Sequence, residues 1–132
     1  MIIGTGVDLA GIDRTMLAVD GPRGHRFCER VFSPAEIAYC ESRGRVRGHS
    51  YAARFAAKEA VMKALGVGWG KDAGWQDIEV FRLETGQPDV RLRGAAAVTA
   101  ERRGITAIHL SLSHGEGIAM AFAVAEAVPA AS

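Results

Sequence analysis

The opening run IIGTGVDL alternates, with Ile3, Thr5, Val7 and Leu9 to one side and Gly4, Gly6 and Asp8 to the other, which is the period of a strand. Two glycines beside one carboxylate read as room for a ligand. Ser33-Pro34-Ala35-Glu36 carries a capping serine, a proline in the first turn and a glutamate three residues on, and predicts a helix from there through Cys40. Gly44 and Gly48 then interrupt the pattern. A long helix is expected from about Ser50 to Leu65, stopping at Gly66, where VGWGKDAGW supplies breakers. IEVFRL and DVRLR flank the turn Thr85-Gly86-Gln87-Pro88 as a hairpin, and GAAAVTAERRG is an alanine-rich helix ending at Gly104. ITAIHLSLSH and IAMAFAVAEA form the last hairpin around Gly115 and Gly117, and the PAAS tail after Val128 is expected to be loose. Two or three hairpins in this order favour an α+β domain, an antiparallel sheet packed on the long helix, over a parallel doubly wound one.

The long helix carries the chemistry. Tyr51, Phe55, Val61, Met62 and Leu65 fall on one broad side and Ala53, Ala57, Ala60 and Ala64 on the other, and a helix apolar on both sides is buried. Yet Glu59 and Lys63 share one flank, and Arg54 and Lys58 another. Charges on an embedded helix are costly unless paired or set against a ligand. Two readings stand side by side. Glu59 and Lys63 form an ordinary pair four residues apart, or Glu59 joins Asp8 to hold Mg²⁺, with Lys63 and Arg54 facing phosphates.

Composition narrows the setting. The chain has 132 residues, suiting one domain over 1–132, and is 48% hydrophobic and 23% charged, which indicates neither disorder nor a membrane protein. The N-terminus lacks a basic leader before a long apolar run, so a cytoplasmic location is expected. Cys28 and Cys40 match no metal pattern and read as two reduced structural thiols. Net charge is +1, but Arg14, Arg23, Arg26, Arg30, Arg43, Arg45, Arg47 and Arg54 all lie in the first half. That asymmetry fits an acidic or phosphorylated partner as well as it fits a solvated basic face, and few interleaved aromatics argue against nucleic acid. Gly66, Gly68 and Gly70 follow a helix rather than precede one, so they do not match the phosphate-cradling fingerprints.

VDLAGIDR, RFCERVFSPAEIAYC, ARFAAKEAVMKALGVGWG, WQDIEV, GQPDVRL and HLSLSHGEGIAMAFAVAE, in that order, resemble the holo-[acyl-carrier-protein] synthases, the small trimeric 4′-phosphopantetheinyl transferases. The resemblance runs from about Ile2 to Glu126 and is most specific in RFAAKEA with its upstream V-D-L. It implies transfer of 4′-phosphopantetheine from coenzyme A to a serine of apo acyl carrier protein, releasing adenosine 3′,5′-bisphosphate. It makes Asp8 and Glu59 the Mg²⁺ ligands and Lys63 the neutraliser of developing charge. Glu59, directly or through a metal-bound water, becomes the candidate to take the serine proton. The implied coenzyme contacts are Arg54 and Lys58, Gly66 in a loop bordering the adenine, and Ser113 and His114 at a strand end near the 3′-phosphate. Arg14, with Arg23 and Arg26 nearby, would dock the acidic carrier protein. The active sites would lie between subunits of a homotrimer. Two stretches depart from many relatives, Val67 where threonine is common and the turn Gly115-Glu116-Gly117-Ile118; His25, His49 and His109 receive no role. The alternative is a coenzyme A or carrier-protein binding module without turnover, against which Asp8, Glu59 and Lys63 argue; a purely structural Glu59–Lys63 pair ranks last.

Overall fold

The computed structural model describes residues 1–129. Strand β1 (Ile2–Gly11) runs straight into helix α1 (Ile12–Asp20). The junction is held by Thr15, whose hydroxyl donates to the Gly11 carbonyl at 2.7 Å, and by the Ile12 N–H donating to Gly117 at 2.9 Å. Helix α2 (Gly24–Val31) has no counterpart in the sequence-based expectation: GHRFCERV is polar for most of its length, and only Phe27, Cys28 and Val31 turn inward. They join Val19, Phe32, Cys40 and Tyr51 in a small core of their own. Burial there raises both thiols, Cys40 to about 12, and both cysteines are free.

Helix α3 (Pro34–Glu41) starts on the expected capping box, with the Glu36 N–H donating to Ser33 Oγ at 3.1 Å and the Ser33 N–H donating to Glu36 Oε1 at 2.8 Å. The long helix α4 (Arg47–Leu65) begins before Ser50 and takes in Gly48. Gly48 is a contact, not a break: a Cβ there would sit 3.0 Å from Met16 and 3.2 Å from Ile12 of α1. At the other end Gly66 adopts φ 81°, and the N–H groups of Gly66 and Val67 donate to Lys63 and Met62 at 3.0 and 2.9 Å, a Schellman ending.

Strands β2 (Ile78–Arg82) and β3 (Pro88–Leu92) pair antiparallel, helix α5 (Gly94–Arg102) follows, and β4 (Ala107–Gly115) and β5 (Ile118–Glu126) close the chain as the second hairpin. Its two-residue turn places Glu116 and Gly117 at φ 54° and 76°, the positive values such turns require. The main sheet has the order β1-β5-β4, all antiparallel, with Asp8 opposite Ala121 and Val7 opposite Phe122. The antiparallel α+β arrangement expected from the sequence is the one observed.

Alanine explains how closely helix and sheet approach. Ala119, Ala121, Ala123 and Ala125 of β5 are fully buried, as are Ala52, Ala56, Ala57 and Ala60 of α4. Gly4 and Gly6 belong to the same contact: a Cβ on Gly6 would lie 2.0 Å from the Ala60 carbonyl, and one on Gly4 2.2 Å from that of Ala64. These two glycines therefore admit the backbone of α4, not a ligand. The far face of the sheet is apolar and open, with Val7, Leu9, Ile118, Met120 and Phe122 between 41% and 61% exposed. Among the described residues no helix is long and apolar enough to cross a membrane. The tail expected to be loose lies, from Ala130 on, outside the described residues.

Candidate active site

The close approach of α4 to β1 brings Asp8 against the flank of α4 that carries Glu59 and Lys63. Lys63 Nζ donates to Asp8 Oδ1 at 3.0 Å and to the Val7 carbonyl at 2.9 Å. The ion pair expected as the bland alternative is thus replaced, because Lys63 reaches across to the strand and pairs with Asp8. Among the described residues Glu59 makes no ion pair within 4 Å. Its carboxyl is pushed up to about 7, first by burial, then by the charge of Asp8 and a hydrogen bond shared with it, while Lys63 offsets only part of this. Two carboxyl groups thus share one half-buried position with too little positive charge between them. A hard divalent cation relieves such a pair, and Mg²⁺ commonly takes only one or two protein carboxylates. Among the described residues no three His, Cys, Asp or Glu side chains are grouped so as to hold a metal ion.

Glu59 also borders a cavity of about 300 Å³ with Arg14, Leu9, Phe27 and Phe55. The candidate docking arginine and the candidate base therefore share one hollow between α1 and α4. Arg23 and Arg26 are exposed at the start of α2.

Arg54, Ser113 and His114 meet elsewhere. They line a cavity of about 620 Å³ together with Arg43, Arg82 and His49, and among the described residues no acidic side chain lines it. Arg54 is 2% exposed, its guanidinium lies 4.1 Å from the centre of the Tyr39 ring, and its Nε has no hydrogen-bond partner among the described residues. Five residues separate Arg54 from Glu59, about 140° around a helix, so in one chain the arginine cavity and the carboxyl pair lie on different sides of α4. Arg43, Arg82 and His49 had no individual sequence signal; packing alone gathers them.

One expected coenzyme contact is corrected. Lys58 is completely buried, with its ammonium 2.8 Å from Glu36 Oε1 and donating to the carbonyls of Trp75 and Ile78 at 2.9 and 2.5 Å. All three of its donors have acceptors inside the protein, so none is left for a phosphate. Gly66 is the left-handed helix ending, and a Cβ there would collide with Arg103, which donates to the Leu65 carbonyl at 2.5 Å. That ending accounts for a glycine here, and Gly66 stays exposed at the start of the loop expected to border the adenine.

The chain is similar to known proteins along nearly all of its length. Residues 4–123 match the family model of the 4′-phosphopantetheinyl transferase superfamily. The holo-[acyl-carrier-protein] synthase of Solibacter usitatus is 47% identical over 126 residues, covering 96% of this chain and 99% of that protein. The crystal structure of the holo-[acyl-carrier-protein] synthase from Neisseria meningitidis superposes with a TM-score of 0.86 at 32% identity, over 96% of this chain and 99% of that one. The Helicobacter pylori enzyme, solved in complex with coenzyme A, gives 0.80 at 32% identity over 92% and 99%.

Proposed function

The chain belongs to the 4′-phosphopantetheinyl transferase superfamily as one of its holo-[acyl-carrier-protein] synthases, and from that premise we propose that it moves 4′-phosphopantetheine from coenzyme A to a serine of apo acyl carrier protein in a Mg²⁺-dependent reaction. The observation that carries the reading is the meeting of Asp8, Glu59 and Lys63, residues of two distant segments, in a cluster short of positive charge. In the transfer the serine hydroxyl loses its proton, its oxygen bonds to the pantetheine phosphorus, and the bond to the bridging oxygen breaks. The leaving group is adenosine 3′,5′-bisphosphate. Glu59, directly or through a metal-bound water, is our assigned base, since it is the carboxyl that meets Asp8 beside Lys63. Lys63, half exposed and held by Asp8, is placed to meet charge on the phosphates. Asp8 and Glu59 would hold Mg²⁺, which would supply the charge neutralisation and polarisation that phosphoryl transfer depends on.

The arginine cavity, with Arg54, Ser113 and His114, is assigned to the phosphates at the nucleotide end; Arg's planar fork suits such oxygens. The two halves lie apart within one chain, so the reading requires a neighbouring copy to complete each site. The open apolar sheet face around Val7, Leu9 and Phe122 is the surface on which copies would assemble, as a cytoplasmic homotrimer. Arg14, Arg23 and Arg26 are assigned to the acidic carrier protein.

Intact-mass analysis of an apo acyl carrier protein incubated with this protein, coenzyme A and Mg²⁺, with a chelator in a parallel sample, tests the reading. Gain of one phosphopantetheine that the chelator abolishes is expected. Binding of coenzyme A with no mass gained on any carrier protein would replace the transferase by the binding module.

A further inference from the structure

His49 and His114 lie face to face, with ring centroids 4.7 Å apart and planes 7° from parallel. His49 comes from the first turn of α4 and His114 from the end of β4, so the stack joins two elements distant in sequence. Both rings line the cavity that holds Arg43, Arg54, Arg82 and Ser113. Arg54, which lines that cavity, is buried and its Nε makes no hydrogen bond among the described residues, so its guanidinium is not fully satisfied by the protein, which is costly for a buried charged group. His114 is exposed at a strand end, where an imidazole standing alone would have to give up its rotational freedom each time a ligand bound. A parallel ring against it removes that freedom beforehand.

We propose that His49 is a positioning residue for the coenzyme's 3′-phosphate: stacked on His114, it holds that imidazole toward the arginine cavity and so sharpens selection for a nucleotide carrying the 3′-phosphate. This rests on the transferase reading, which assigns the cavity to the phosphates. His49 itself needs no contact with the substrate. Its effect is therefore confined to ligands that engage His114, and any flat aromatic ring in its place should preserve that effect.

The test is calorimetry with adenosine 3′,5′-bisphosphate and with adenosine 5′-monophosphate on three full-length proteins: the unaltered chain, His49→Ala and His49→Phe. His49→Ala should bind the bisphosphate about tenfold more weakly while the monophosphate stays within about twofold. His49→Phe should bind the bisphosphate within about threefold of the unaltered chain. In the ligand-free proteins, the imidazole proton resonances of His114 should lose their ring-current shift in His49→Ala and keep it in His49→Phe. Unchanged bisphosphate binding in His49→Ala, an equal loss for both nucleotides, or a His49→Phe protein as weak as His49→Ala would each overturn the proposal. An unaltered chain that binds the bisphosphate but transfers nothing would end the transferase reading and leave the role of His49 standing; one that binds neither nucleotide would end both.

Discussion

Two lysines five residues apart on α4 meet carboxylates in opposite ways. Lys58 is wholly buried, and its three donors face Glu36 and the carbonyls of Trp75 and Ile78. Glu36 in turn accepts from the N–H groups of Ser33 and Val80, each at 2.8 Å, so the knot that ties α3, α4 and β2 together is closed. Burial lowers the Lys58 ammonium and Glu36 works against that shift, the balance expected of a paired interior charge. Lys63 stands half exposed against Asp8, and beside it the Glu59 carboxyl is held near 7 by burial and by a second acid that Lys63 offsets only in part. The more deeply buried charge is thus the structural one. What separates the two clusters is whether charge and hydrogen-bonding capacity are left over, since a saturated cluster has nothing to give a ligand.

Breaking the closed knot should have the largest effect. Lys58→Met leaves the Glu36 charge in the core without its partner and should cost about 3–5 kcal/mol in denaturant unfolding at neutral pH, with part of that recovered when Glu36→Gln is added. A loss below about 1 kcal/mol would show that the knot is not what holds these elements. In the open cluster the fold should survive while the chemistry goes. Glu59→Gln is expected to lower turnover by about 10²–10³-fold, with no drop in the melting temperature of the metal-free protein, because one member of a repelling pair becomes neutral. Undiminished turnover would remove Glu59 from the mechanism.

At the rim of the same hollow the effects become smaller. Arg14→Glu should raise the KM for carrier protein about tenfold and leave that for coenzyme A unchanged, with the difference fading as salt is added. An equal rise for both substrates would contradict docking at Arg14. The smallest effect lies in the pH response. An ordinary glutamate titrates near ~4.3, and Glu59 does so at about 7 in the folded chain. Between those values the folded state holds the extra proton, so this group favours folding at low pH and its contribution is lost as pH rises through 7. Mg²⁺ should therefore raise the melting temperature by about 3 °C more at pH 8 than at pH 5.5, where it must displace a proton. Equal shifts at both pH values would show that Glu59 is not the titrating ligand.

Legibility varied with the range of the interactions. The long helix was readable because large apolar residues and alanines occupy opposite sides of it, and its end because Gly66 has no side chain to obstruct a left-handed turn. Its start was misplaced at Ser50 because Gly48 looks like a breaker until α1 is packed on it. α2 went unseen because its polar octet buries only one edge. In the site, Asp8, Glu59 and Lys63 could be named from residue type and spacing together with family resemblance. Lys58 was misassigned because on a helical wheel it shares a flank with Arg54, and nothing local tells the two apart.

The sequence by itself determined the strands and the longer helices, the antiparallel class and the few side chains able to carry charge into the interior, because backbone hydrogen bonding gives helices and strands periods that a short window displays wherever one face is clearly apolar. Tertiary structure alone decided which of those charges were satisfied. Glu36 reaches Lys58 from α3, Asp8 reaches Lys63 from β1, and His114 meets His49 from β4, all across long stretches of chain. The energy of a charge depends on what surrounds it in space, and those neighbours are chosen by packing rather than by order along the chain.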